Sequence, residues 1–446
     1  MTQMITPTYD VLGIGFGPSN LALAIALQEQ ARREGRHYHA LFLDKQADYR
    51  WHGNTLVAQS ELQISFLKDL VTLRNPTSPY SFVNYLHAMG RLIDFTNLGT
   101  FYPCRMEYND YLRWVSDQFA EQRASGETVS RVEPVQGPDG IELLKVLSTD
   151  ARGHERFRLA RSVVVSTGGT PRFPSAFSHL RDDPRVFHHA RYLECMAKQR
   201  CNQNEPMRIA VIGGGQSAAE AFIDLNDSFP SVQVDMVLRA AVLKPADDSP
   251  FVNEIFAPRY TDLVFNEPKA EREKLIQEFH NTNYSVVDLD LIERIYGIFY
   301  RQKVAGVDRH AFLCRRNVEA AKADADAEGI ELTLRDSATG AVETHRYDAV
   351  ILATGYERKS HRELLAPLQD YLGDFDVGRD YRLQTDARLH AGIYLQGFTQ
   401  DSHGLSDTLL SVLPMRAQEI AASMFEHLPP QESAHKPSRP LTAESA

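Results

Sequence analysis

Gly15-Phe16-Gly17-Pro18-Ser19-Asn20 is matched in kind far along the chain by Gly213-Gly214-Gly215-Gln216-Ser217-Ala218. Each turn follows an apolar run, Val11 to Ile14 or Ile209 to Ile212. Each opens a small-residue helical stretch, Ala22-Leu23-Ala24-Ile25-Ala26 or Ala218-Ala219-Glu220-Ala221-Phe222. The pattern is strand, phosphate loop and helix, written twice. Glycine lets the backbone approach a pyrophosphate, and the fresh helix end offers free amides and the positive end of its dipole. Two such units predict two dinucleotides on an α/β scaffold of two Rossmann-like domains, with a smaller substrate-binding region.

The strands that follow the two helices end in opposite charges. Ala40-Leu41-Phe42-Leu43 closes on Asp44, and a carboxylate there accepts from ribose hydroxyls and repels a 2′-phosphate. The first unit therefore suits FAD or NAD. Val234-Asp235-Met236-Val237-Leu238 instead closes on Arg239, whose guanidinium can pair with a phosphate, so the second unit suits NADPH. Two more apolar runs, Ser162 to Gly169 and Asp348 to Tyr356, end in Thr-Gly turns of the kind that need close backbone approach.

Length and charge narrow the function classes. At 446 residues the chain exceeds the size, roughly 250 residues, at which single cores stop growing. A formal charge of −11 argues against a nucleic acid or an anionic membrane surface as partner. No apolar run reaches the ~18 residues that span a bilayer, and Met1 to Tyr9 lacks a signal-peptide pattern, so a cytoplasmic protein is expected. Cys104, Cys195, Cys201 and Cys314 form no Cys-x-x-Cys and no zinc spacing, and no metal site is expected.

Polar residues gather in Trp51-His52-Gly53-Asn54, Glu61 to Asp69, Asp247 to Glu254 and His280 to Asp288. Spacing alone assigns them no chemistry; asparagines of this kind cap helices and fix turns. Taken with the first turn, Gln63-Ile64-Ser65-Phe66-Leu67-Lys68-Asp69-Leu70, Asn75-Pro76-Thr77-Ser78-Pro79-Tyr80-Ser81-Phe82, Gly213 to Glu220 and Ala353-Thr354-Gly355-Tyr356, however, the chain resembles the flavin-dependent N-hydroxylating monooxygenases. The likeness is strongest to the bacterial ornithine N5-hydroxylating branch that serves hydroxamate siderophores, and runs from about Asp10 to about Leu428.

That resemblance implies FAD and NADPH as cofactors, L-ornithine and O2 as substrates, a C4a-hydroperoxyflavin as oxygen donor, and a homotetramer. It implies that Gly15, Gly17, Asn20, Asp44, Trp51, His52, Gln63, Ser406, Asp407 and Thr408 line FAD. Gly213, Gly214, Gly215, Gln216, Ser217 and Arg239 fall to NADP, with Asn253 near it. Lys68, Asn253, Asn283 and Leu409 fall to ornithine, and no catalytic base is assigned. The chemistry agrees, because an amino acid needs a cation for its carboxylate and neutral partners for its amines.

The expected organisation is an FAD domain over 1–204, an NADPH domain over 205–355 carrying substrate segments at about 245–300, an FAD return over 356–428, and a disordered tail over 429–446. Two departures stand out. Asn20 and Ala218 replace the third glycine of each turn, which predicts looser helix packing on the strand. Val186-Phe187-His188-His189-Ala190-Arg191-Tyr192 lacks the glycine of the Baeyer-Villiger pattern, a poorer fit to carbon oxygenation. Lysine N6-hydroxylation is the nearest rival, since one methylene is worth only about 1–3 kcal/mol. A flavin disulfide reductase would need a redox cysteine pair, and a non-catalytic FAD and NADP binding protein is the reading from another class.

Overall fold

A computed structural model describes residues 7–323 and 329–428; the tail expected over 429–446 lies outside the described residues. The apolar run behind the first turn forms the strand Thr8–Ile14 at the centre of a seven-stranded sheet. It pairs in parallel with Ala40–Asp44 on one side and Glu155–Val165 on the other. The last of these forks. Residues 155–160 pair antiparallel with the strand Gly140–Asp150, while residues 162–165 pair in parallel with Gly392–Leu395. The first sheet is thus completed by a segment that follows the second glycine unit in sequence.

The second sheet is parallel throughout, in the order Ala311–Leu313, Val232–Val237, Met207–Ile212, Ala349–Leu352 and Val186–His188. Its first strand, Val186–His188, lies upstream of residue 205. Strands buried on both faces read as unbroken apolar runs, and Ala349–Leu352 is buried at every position. A three-stranded antiparallel sheet of Arg316–Ala323, Ile330–Asp336 and Val342–Tyr347 covers one side. The chain is therefore an α/β protein with two Rossmann-like units. Among the described residues no helix is long and apolar enough to cross a membrane, and all four cysteines are free thiols.

Both glycine turns are shaped by a neighbouring carbonyl. Gly15 has φ +87, and a Cβ there would stand 2.5 Å from the Ser166 carbonyl oxygen. Gly213, at φ +151, sits equally tightly beneath the Ala353 carbonyl oxygen. The apolar runs ending in Thr-Gly thus supply the carbonyls that press on the two turns. Asn20 does more than fill the place of a third glycine. Fully buried, it donates from Nδ2 to the Gly15 carbonyl at 2.6 Å and accepts from Gln396 Nε2 at 2.8 Å, so it replaces close packing with hydrogen bonds to the turn.

The helix Pro18–Glu34 packs against the closing helix Leu413–His427. Between them lies a buried ion pair. Arg416 Nη1 donates to Asp407 Oδ1 at 2.9 Å, and Nη2 donates to Ser19 Oγ at 2.8 Å. Both charged side chains are withdrawn from solvent. Removing one member of such a pair strands the other. Arg416→Leu is expected to lower unfolding free energy by about 3–5 kcal/mol, read from the urea midpoint at constant slope; a loss below about 1 kcal/mol contradicts the structural weight given to this pair.

Candidate functional site

The helices Pro18–Glu34 and Gln216–Ser228 begin at Gly17 and Gly215 without any side chain accepting from their first amides. Orphan amides at a helix start are the groups that a phosphate satisfies. Nothing lies within 4 Å of a Cβ built on Gly17, leaving open space above the first turn. At the second turn, a Cβ on Gly214 would meet Leu238 at 3.3 Å, and one on Gly215 would meet the Ser285 Cα at 3.6 Å. These cradles fit two nucleotide diphosphates.

Asp44 accepts from the Phe16 amide at 2.7 Å and the Gln46 amide at 2.8 Å. A carboxylate has about four acceptor positions, which leaves capacity for ribose hydroxyls. Arg239 is exposed just past Val232–Val237 and makes no ion pair among the described residues. That is the state in which a guanidinium can take a phosphate.

Trp51 is fixed by its amide on Asn109 Oδ1 at 2.8 Å and packs edge-on to Tyr108. His52 adopts φ +53 and is exposed. Crowding by protein atoms, with Arg105 and Arg358 nearby, pushes its imidazole down to about 4. His189, buried behind it, is pushed to about 3 by burial and then by His188, Arg105 and His52. Both imidazoles are held below their ordinary range, and Arg105 acts on each of them.

Ser406, Asp407 and Thr408 lie in the turn Leu405–Thr408. Ser406 and Asp407 are buried, and the Asp407 carboxylate accepts from the Gly397 and Thr399 amides at 3.3 and 2.8 Å besides Arg416. Asp407 thus shapes the loop from within. Thr408 faces the other way, its Oγ1 lying 2.8 Å from the Tyr284 hydroxyl.

The substrate candidates come from three separate segments. Lys68 is half-buried, and burial alone lowers its ammonium below the ordinary lysine range, with no carboxylate contributing. Asn253 lies in the turn Val252–Phe256, which packs on Leu405–Thr408; its Nδ2 donates to the Asp248 carbonyl at 2.6 Å. Asn283 precedes Tyr284, which joins Thr408, and Ser285, which abuts Gly215. Leu409 follows the same loop in extended backbone. The short stretch from Asn283 to Asp288 therefore touches the loop proposed for flavin and the turn proposed for nucleotide.

Several working residues escaped the sequence reading. Arg416 is one cationic position in an amphipathic helix, and nothing local announces its reach to Ser19. Tyr284 and Asp288 stood inside a polar segment without a motif of their own. Arg105 and Glu220, paired through both guanidinium nitrogens at 2.9 and 2.7 Å, are separated by 115 residues.

The chain is similar to known proteins over most of its length. The family model described as L-lysine 6-monooxygenase/L-ornithine 5-monooxygenase matches residues 7–358. The chain is 66% identical over 426 residues to the L-ornithine N(5)-monooxygenase of Pseudomonas aeruginosa, spanning 96% of each. Among solved structures, the ornithine hydroxylase from Pseudomonas aeruginosa superposes with a TM-score of 0.90 at 66% identity, over 94% of this chain and 100% of that one. An ornithine N-hydroxylase from Kutzneria sp. 744, solved with reduced FAD, NADP+ and L-ornithine, superposes with a TM-score of 0.88 at 36% identity, over 94% and 99%.

Arg239→Ala is expected to raise the NADPH Michaelis constant by about ten- to hundredfold, the loss of about 1.5–3 kcal/mol for a charged hydrogen bond. NADH kinetics should stay as they were. Initial rates with both nucleotides check this, and an unaltered preference for NADPH would remove Arg239 from the phosphate site.

Proposed function

Because this chain belongs to the L-lysine 6-monooxygenase/L-ornithine 5-monooxygenase family, we propose that it hydroxylates the side-chain amine of L-ornithine to N5-hydroxyornithine. NADPH and O2 are consumed, FAD is the resident flavin, and the product feeds hydroxamate siderophore synthesis. The observation that carries this reading is the stretch Asn283 to Asp288, which meets the second glycine turn at Ser285 and the Thr408 loop through Tyr284. A small substrate held there lies at the seam of both nucleotides. The setting is the cytoplasm, and the working form is a homo-oligomer.

FAD, when bound and reduced by NADPH, supplies the activation of oxygen that no side chain here provides. The first turn, Asp44, Trp51, His52, Gln63 and the loop Ser406 to Thr408 would hold it. The second turn, Gln216, Ser217 and Arg239 hold NADPH. Lys68 takes the ornithine carboxylate, while Asn253 and Asn283 take the α-amine and fix the chain.

The side-chain amine must be neutral to attack, although a lysine-like amine has a solution pKa near 10.4. A carboxylate beside it would hold the proton. The acids of the junction are instead committed elsewhere. Asp288 is bound by Gln63 and Gln216, and Asp407 by two backbone amides and Arg416. With those carboxylates engaged, the site adds no free acid among the described residues to hold the proton on the side-chain amine.

Mass spectrometry of FAD-loaded protein turning over with NADPH and ornithine should find one added oxygen, and with lysine far less product. Equal product from lysine would transfer the assignment to the rival amine. Lys68→Ala should raise the ornithine Michaelis constant by more than about tenfold and let NADPH oxidation run on without hydroxylated product. Coupled, wild-type-like hydroxylation by that variant would refute the carboxylate role.

A further inference from the structure

The functional reading leaves Asp288, Glu220 and Arg105, at the seam between the two nucleotide units, without a role. Gln63 Nε2 donates to Asp288 Oδ1 at 2.7 Å, and Gln216 Nε2 donates to Asp288 Oδ2 at 2.8 Å. The Asp288 amide returns a hydrogen bond to Gln216 Oε1 at 2.9 Å. Gln216 also reaches Glu220 at 3.0 Å, and Glu220 is gripped by Arg105. Arg105 Nε then donates to the Glu61 carbonyl at 3.1 Å, two residues from Gln63. The contacts close into a ring that crosses the junction twice.

Helix capping does not explain Asp288. It occupies the N-cap of the helix Leu289–Ala305, a position where aspartate ordinarily accepts from the first amides for about 1 kcal/mol. Its carboxylate makes no such bond. It turns away from its own helix and spends both oxygens on glutamines from the two sides of the seam. Those glutamines are the flavin-side Gln63 and the residue that opens the helix after the second glycine turn. Uncharged and free to rotate about several bonds, neither would hold a fixed direction alone.

We propose that Asp288 is a positioning residue that yokes the flavin site to the nicotinamide nucleotide site, holding Gln63 and Gln216 in one register. The proposal rests on the FAD and NADPH reading above. Its physical content is a coupling between sites: occupation of the second turn fixes Gln216, Asp288 transmits that to Gln63, and by linkage each nucleotide strengthens the other. The half-buried carboxylate, which burial pushes upward and Gln63 pulls back, is held in place by these donors.

The test compares full-length wild type, Asp288→Ala and Asp288→Asn. Asparagine retains one acceptor and gives an intermediate result; it also carries the test if the alanine variant fails to fold. FAD affinity is measured by flavin fluorescence with and without saturating NADP+, and flavin bleaching by NADPH is followed anaerobically after rapid mixing. In wild type, NADP+ should tighten FAD by about fivefold or more. That ratio should fall towards one in Asp288→Ala, with bleaching about tenfold slower. A ratio and a bleaching rate equal to wild type in the variants overturn the proposal alone. A wild-type flavin that NADPH leaves unbleached overturns the functional reading and the proposal together.

Discussion

At both nucleotide turns a backbone carbonyl stands where a side chain would begin. Ser166 presses on Gly15 and Ala353 on Gly213, so each turn is clamped against the end of the neighbouring strand. That contact fixes where the following helix starts and aims its unsatisfied amides outward. The two nucleotide turns and the seam between them follow from these two close approaches. A methyl group at either glycine would have to displace backbone, which is far costlier than turning a side chain.

Much of this was legible in the sequence, because phosphate binding is local chemistry. A glycine turn, its strand and its helix occupy a short contiguous stretch, and the charge at the next strand end lies a predictable distance on. Asp44 and Arg239 could be placed at strand ends for that reason. Asn20 was read as an obstacle to packing, and in the structure it is a hydrogen-bonding member of the turn. Its partner Gln396 lies 376 residues away, and no pattern in the chain points from one to the other. The same holds for Arg416 with Ser19 and for Arg105 with Glu220. Such pairs exist only once the sheet has brought distant segments together.

The polar groups of the seam differ in what burial does to them. Glu220 is pushed up by burial, and the bidentate Arg105 opposes it. Leucines of similar volume would join the two units at least as firmly, since buried ion pairs seldom outperform packed apolar groups. Directional hydrogen bonds fix relative rotation in a way that apolar contact does not. A junction that would hold two cofactors in a fixed relation gains from that restriction, and it gives a physical reason for charge at a site where stability alone would favour hydrocarbon.

The bond between Arg416 and Ser19 spans 397 residues, and Gly392–Leu395 completes the first sheet from the same late region. On the ribosome, the earliest turn of the protein is therefore made long before the groups that finish it. Closing so wide a loop carries an entropic cost that is met only when nearly the whole chain is available. The hydrogen bond from Arg416 to Ser19 consequently waits for the helix Leu413–His427, which acts as a fastener on the first turn.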